Sequence, residues 1–166
     1  MNFFKKLSNK FFSIETIVSL TIIIFVFILD RVSKIKIVKH QIDNDGSLFI
    51  SEYLNFDLVW NTGIGFGLLS QNVNIYYNAI TFLIFLVIVF LGYLIFKANF
   101  WEKKLYCLIL GGALGNFYDR IFYFAVPDFI DVHINDFHWF TFNIADIFIT
   151  TGIVAIICKD VILNKK

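Results

Sequence analysis

Residues 73–96 run for 24 positions without a charged side chain, and this run constrains the fold more than any other feature. At a helical rise of ~1.5 Å per residue, ~20 apolar residues span the ~30 Å hydrocarbon layer of a bilayer. In water the same run would need burial on every side. The rest of the chain has too little polar surface for that: 58% of residues are hydrophobic, mean hydropathy is +0.75, and Phe supplies 22 of 166 residues. We therefore expect an integral membrane protein built from α-helices.

Three more segments read as spans, at 14–34, 105–122 and 139–160, making four with 73–96. The 105–122 segment is the weakest, because only 14 residues separate Lys104 from Asp119, so its outer end must carry Asp119 and Arg120. Lys5, Lys6 and Lys10 ahead of the first apolar stretch imitate the basic end of a signal peptide. No Ala-x-Ala-like site follows, and the chain runs into Asp30-Arg31-Val32-Ser33-Lys34, so we read an uncleaved first span. With the N-terminus inside, nine of the fourteen Lys/Arg fall on the inner side, and ten of the thirteen acids on the outer side or outer helix ends. The positive-inside rule then places both termini in the cytoplasm and any acid-based chemistry outside.

Residues 1–166 read as one domain, with a non-helical outer region at 35–72 that is too long for a plain connector. Within it Leu54, Phe56, Leu58 and Trp60 alternate with Asn55, Asp57 and Val59, which predicts a strand or small sheet at the membrane surface. A turn is expected over Asn61-Thr62-Gly63-Ile64-Gly65-Phe66-Gly67. The second outer loop, 123–138, has Phe129, Val132 and Ile134 among acids and is expected to add strand or interfacial structure. The fold class is thus a four-span helical membrane protein with a small β-rich element on its outer side.

Asp146 lies in an apolar run, 141–158, that has no other charge. A carboxylate at the centre of a spanning helix costs roughly 2.5–3.5 kcal/mol, so such a residue is a candidate for function by default. Asp128 lies 18 residues upstream, just before the same segment. Two carboxylates able to meet at a membrane surface point to water-activating acid–base chemistry. Asn143 shares a helix face with Asp146, where it either holds the acid by hydrogen bonding or makes an interhelical contact.

Gly111 and Gly115 form a small-xxx-small pair that permits close helix approach. Asn116 and Arg120 share a face of that helix, and Asp119 lies beside them. Asp119 and Arg120 read either as an ion pair at the helix end or as part of a polar clamp for backbone carbonyls or an anionic headgroup. Gly63 and Gly67 allow close backbone approach to a ligand beside the Asn61 amide, or simply form the turn. Asp30 and Lys34, spaced i,i+4, read as a structural pair at the outer end of the first span.

Other chemistries are poorly represented. A net charge of +1 leaves no footprint for nucleic acid. Cys107 and Cys158 lack metal-ligand spacing and read as packing residues. There is no HExxH, GxSxG, SxxK or phosphate-cradling loop. Asp128, Asp131, His133, Asp136 and His138 cluster in one loop and offer ligands for a divalent ion, although acidic outer loops are ordinarily just solvated. We expect neither metal nor cofactor.

Taken in order, these blocks resemble the lipoprotein signal peptidases (signal peptidase II), membrane aspartic peptidases of bacteria. The likeness rests on Asp30-x-x-Ser33-Lys34, Asn61-x-Gly63-x-x-Phe66-Gly67, Gly111-Gly112-Ala113-x-Gly115-Asn116-x-x-Asp119-Arg120, Asp128-Phe129 and Phe142-Asn143-x-Ala145-Asp146. Gly65 stands where the family more often has Ala or Ser, and Pro127 where Val is common. The resemblance implies removal of signal peptides from prolipoproteins carrying a diacylglyceryl-cysteine, in the bacterial cytoplasmic membrane, by a protein expected to be a monomer. It implies that Asp128 and Asp146 are the catalytic pair and that Asn61, Asn116, Arg120 and Asn143 position them or the substrate. It also implies inhibition by globomycin. Contact with membrane lipid follows from the acyl chains of such a substrate.

Two other classes compete. A small proton-coupled transporter would also use intramembrane Asp with Asn and Arg, but needs polar residues continuing to the inner face, where 90–96, 105–110 and 147–157 are nearly uncharged. A non-catalytic assembly factor would explain the glycines and aromatics but leaves both acids without a role.

Overall fold

The computed structural model describes residues 13–44, 46–63 and 75–163. Among these residues, four helices and four strands follow one another along the chain: α1 (Ile14–Asn44), β1 (Leu48–Ser51), β2 (Leu54–Asn61), α2 (Ile75–Lys97), α3 (Phe100–Phe122), β3 (Val126–Ile134), β4 (Phe137–His138) and α4 (Ile144–Leu163). Gly65, Phe66 and Gly67 lie outside the described residues, as do Lys5, Lys6, Lys10, Lys165 and Lys166. By length and composition α1 and α2 suffice to cross a membrane. Helices α3 and α4 carry charges at both ends, including Glu102 and Arg120 on α3 and Asp146 and Asp160 on α4.

Three boundaries differ from the sequence expectation. Helix α1 continues to Asn44, so 35–44 is helix rather than outer loop. Its Lys and Asp residues end the apolar run but not the helix, because buried Ile37 packs against Phe129 and Ile130 of the sheet. Helix α3 begins at Phe100 rather than at 105, since Asn99 caps it by accepting from the backbone N–H groups of Trp101 (3.2 Å) and Glu102 (3.1 Å). Helix α4 begins at Ile144 rather than at 139, because Phe142 is held in extended form, exchanging backbone bonds with Ile130.

Helix α3 sits between α1 and α4, and its glycines set the spacing. A Cβ on Gly111 would fall 2.8 Å from Val26 Cβ, one on Gly112 2.6 Å from the Ala145 carbonyl oxygen, and one on Gly115 2.5 Å from Asp30 Oδ2. A methyl group at Gly115 would displace the Asp30 carboxylate, and one at Gly111 or Gly112 would push a neighbouring helix away. On the fourth helix Gly152 does the same against Ile109. Leu91, Ile109 and Ala113 form the buried apolar centre between α2, α3 and α4. The other faces are apolar and exposed, as at Phe82, Leu83, Val89 and Phe90 on α2, which suits contact with lipid.

The strands form one antiparallel meander in the order β1-β2-β3-β4. The predicted alternation in 54–60 is β2, whose Leu54, Phe56 and Leu58 pack on the core beside the end of α1. Between Phe56 and Val59 the register with β3 slips by one residue, a bulge that places Val59 opposite Asp128. At the opposite end of the bundle Lys103 pairs with Glu15 (2.9 Å) and Lys159 with Glu102 (2.5 Å), tying the start of α1, the start of α3 and the end of α4 together.

Candidate active site

Asp146 occupies the first turn of α4, and its setting follows from how that helix starts. Asn143 is the N-cap: its Oδ1 accepts from the Asp146 backbone N–H (3.1 Å), while Asp146 Oδ2 accepts from the Asn143 backbone N–H (3.1 Å). This reciprocal pair is a capping box with Asn and Asp in place of the commoner Ser and Glu. It puts a carboxylate at the positive end of a helix, an attraction that offsets part of the cost of burying it. The other oxygen, Oδ1, accepts from Asn116 Nδ2 of α3 (2.8 Å).

Asp128 reaches the same place from β3. Its side chain is 4% exposed, with Oδ2 accepting from Asn61 Nδ2 (3.0 Å) and Oδ1 from Asn143 Nδ2 (2.5 Å). Asn143, fully buried, therefore joins the two acids: its oxygen is fixed by the cap of α4 and its nitrogen by Asp128. Burial, and then the neighbouring charge of Asp146, push the Asp128 carboxyl up to about 6, against the hydrogen bonds from Asn61 and Asn143 and the charge of Lys34.

A buried ionic cluster supports this pair. Lys34 Nζ uses all three donors, on Asp30 Oδ2 (2.9 Å), Asn116 Oδ1 (2.8 Å) and Asp119 Oδ2 (2.7 Å). Asn116 is thereby oriented with its amide nitrogen toward Asp146. Arg31 donates from Nη2 to Asp119 Oδ2 (2.7 Å), forms an ion pair with Asp119 Oδ1 through Nη1 (2.5 Å) and stacks 4.9 Å from the Tyr118 ring centre. Asp30 Oδ1 accepts from the Ala145 backbone N–H (3.0 Å), a second cap on α4 supplied by α1. Two acids and two bases cancel, so the cluster avoids the high cost of an uncompensated buried charge.

The Asp30–Lys34 pair thus forms as expected, within a larger network. Of the two readings of Asp119 and Arg120, the ion pair between them does not form, whereas Arg120 does clamp a backbone carbonyl. Asp119 bonds Arg31 and Lys34, residues 88 and 85 positions away, while Arg120 Nη2 donates to the Gly63 carbonyl (2.9 Å). Adjacent residues on a helix point in different directions, so each takes a partner from a different element. Arg120 holds Gly63, whose N–H in turn donates to Asn61 Oδ1 (2.9 Å) and leaves the Asn61 nitrogen for Asp128. Asn61, Gly63, Asn116, Arg120, Asn143, Asp30, Lys34 and Asp119 all lie in this one network with Asp128 and Asp146. Arg31 and Tyr77, which donates to the Arg120 carbonyl (2.7 Å), were not singled out from sequence, although Arg31 next to Asp30 was a visible signal. Phe124, at φ 54°, turns the chain sharply from α3 into β3, and nothing in its residue type announces that.

The acidic loop divides. Asp128 belongs to this site, whereas Asp131, His133 and His138 converge elsewhere on the β3–β4 hairpin. Asp131 is 6% exposed, so this part of the loop is not simply solvated.

Fold and site together define the class: a membrane protein with two carboxylates, one from a helix start and one from a strand, joined at the rim of its helix bundle. The family model described as Signal peptidase (SPase) II matches residues 22–162. The lipoprotein signal peptidase of Pelagibacter ubique (strain HTCC1062) is 46% identical over 149 residues, covering 89% of this chain and 90% of that protein. That of Anaplasma phagocytophilum (strain HZ) is 36% identical over 156 residues, covering 92% and 96%. A solved structure described as a bacterial membrane enzyme, obtained by the in meso method at 2.3 Å resolution, superposes with a TM-score of 0.72 at 31% identity, over 89% of this chain and 91% of the other. The chain belongs to the signal peptidase II family.

Proposed function

We propose that this chain is an aspartic endopeptidase that removes the signal peptide from diacylglyceryl-modified prolipoproteins, cleaving just before the lipidated cysteine. The observation that carries the reading is the single Asn143 amide bonded to Asp128 and to the helix start that holds Asp146. Family membership supports peptidase activity on prolipoproteins.

Two nearby carboxyls resist ionising together and share one proton. Asp146, at a helix N-terminus with two donors on its oxygens, acts as the ionised member and takes a proton from water. Asp128 carries the shared proton and donates it toward the scissile carbonyl oxygen as the water attacks. The tetrahedral species collapses when the proton held by Asp146 passes to the leaving amine, and the Asp128 carboxyl recovers its proton from the breaking intermediate. The step requires no metal and no covalent intermediate. Lys34, Asn116, Asn61 and Arg120 act as positioning residues.

All four helices span the membrane in this reading, with both termini cytoplasmic and the site facing outward. The ion pairs Lys103–Glu15 and Lys159–Glu102 mark the inner rim. From Lys159 back to Asp146 along α4 is ~20 Å at helical rise, and from Glu15 to Asp30 along α1 ~22 Å, which sets the acids in the outer part of a ~30 Å layer. Acyl chains then remain in lipid while the peptide bond meets water. Trp60, Tyr123 and Pro127 line a cavity of about 300 Å³ together with Arg31 and Lys34 of α1. The enzyme is a monomer in the bacterial cytoplasmic membrane and is blocked by globomycin. The reading is tested by offering the purified protein a lipidated prolipoprotein and the same precursor with its cysteine replaced by serine. Cleavage of the lipidated form only is expected, and equal cleavage of both would refute lipid-dependent recognition.

A further inference from the structure

We propose that Asp131, His133 and His138 form a binding site for a divalent transition metal of the Zn²⁺ type, which clamps the β3–β4 hairpin. Strand geometry assembles the three donors. Asp131 and His133 are two apart on β3 and share a face, and His138 of β4 stands directly opposite His133. The two residues between Ile134 and Phe137 close the hairpin, with Asn135 at φ 52°, a conformation Asn tolerates in tight turns.

The donor atoms already converge. Both imidazole Nδ1 atoms face one carboxylate oxygen: His138 Nδ1 lies 2.8 Å and His133 Nδ1 3.4 Å from Asp131 Oδ2. The rings stack with centroids 5.0 Å apart and 23° between planes, and all three donor atoms fall within 4.8 Å of one another. A tetrahedral ion with bonds of ~2.0 Å needs donors ~3.3 Å apart, so adjustments of a few tenths of an ångström to about one and a half would admit it.

Two buried atoms without hydrogen bonds point the same way. His133 Nδ1 and Asn55 Oδ1 lack partners among the described residues. Asn55 stands directly opposite Asp131 in the β2–β3 register, hence on the same face. A buried imidazole nitrogen left without a hydrogen bond 3.4 Å from a buried carboxylate oxygen, with an unpartnered amide oxygen on the same strand face, is a costly grouping that a bound cation would relieve. Two imidazoles with one carboxylate suit Zn²⁺ and its first-row neighbours, whereas Mg²⁺ and Ca²⁺ prefer oxygen alone. The His138 side chain is 56% exposed, which leaves an entry path and a fourth position for water.

The site has a structural task. Strand β3 carries Asp128 three residues before Asp131, and the chain leaving β4 returns Phe142 to Ile130 and then delivers Asn143 to Asp128. An ion across β3 and β4 would fix the hairpin that brings these residues together, while taking no part in the chemistry.

The test uses full-length protein in detergent, freed of any affinity tag, titrated with Zn²⁺ and separately with Co²⁺. One Zn²⁺ per chain is expected, with tetrahedral-type visible absorption for Co²⁺ and a rise in the thermal midpoint on adding Zn²⁺. His138→Ala, at an exposed ring, and Asp131→Asn should each weaken binding at least ~10-fold and abolish the thermal shift. No saturable Zn²⁺ binding by the wild type, or binding unchanged in His138→Ala and Asp131→Asn, would overturn the proposal.

Discussion

Asn143→Ala removes the one side chain among the described residues that bonds both halves of the proposed catalytic pair. Two bonds disappear, from Nδ2 to Asp128 (2.5 Å) and from the Asp146 N–H to Oδ1 (3.1 Å), while the backbone bond from Asn143 to Asp146 Oδ2 can persist. Loss of an N-cap costs ~0.5–2 kcal/mol, and loss of a hydrogen bond to a charged acceptor ~1.5–3 kcal/mol. One amide makes both, so the terms overlap, and a loss of about 3 kcal/mol is expected in a denaturation series. The catalytic effect has a sign that stability alone does not predict. The Asn143 bond holds the Asp128 carboxyl down from where burial and Asp146 would place it, so its loss raises that carboxyl above about 6. If Asp128 carries the shared proton, the alkaline limb of kcat/KM moves to higher pH, while the maximum falls ~10²-fold as the pair loosens. Asn143→Asp keeps the capping oxygen but sets an acceptor against Asp128, and should move the limb the same way. The assay is the pH profile of cleavage for wild type and both variants. An alkaline limb that stays put or moves down in folded variants would refute the tuning role of Asn143.

The remaining predictions concern the scaffold. Because the folded Asp128 carboxyl is raised from an ordinary 3.8 to about 6, it favours the native state fully below pH ~4, and that contribution is lost as pH rises through about 6. The difference is about 3 kcal/mol, so the thermal midpoint of Asp128→Asn should gain on wild type between pH ~4 and ~7; a gap that does not change with pH would contradict this. Lys34→Met leaves Asp30 and Asp119 sharing Arg31 alone and should cost ~3–5 kcal/mol, read by thermal unfolding in detergent; a loss under ~1 kcal/mol would count against the network. Gly112→Ala sets a methyl group 2.6 Å from the Ala145 carbonyl oxygen, parting α3 from α4 where Asn116 meets Asp146, and should cost ~1–3 kcal/mol with at least ~10-fold in kcat; wild-type rates would show that the helix spacing is not limiting.

Much of this arrangement was legible along the chain, for identifiable reasons. Asp146 was conspicuous because charge is rare in an apolar run, and strand β2 because alternation with period two has few other causes. The spacing of Asn143 and Asp146 fits one helix face, whereas they are the cap and third residue of a helix start. The same spacing fits both, and only the true start of α4, fixed by Phe142 pairing with Ile130, separates them. The partners of Asp119 were illegible because local spacing offers Arg120, while Arg31 and Lys34 arrive from another helix through tertiary packing. The continuation of α1 past Lys34 was hidden for a related reason. Polar residues end a membrane-type pattern, but a helix leaving the bilayer can continue beneath a sheet.

The central claim, that Asp128 and Asp146 act together as acid and base, is tested most directly by cleavage of a diacylglyceryl-modified prolipoprotein by wild type, Asp128→Asn and Asp146→Asn, each shown to be folded, with and without globomycin. The account predicts cleavage by wild type alone and its block by globomycin. Cleavage by either Asn variant at the wild-type rate would contradict it.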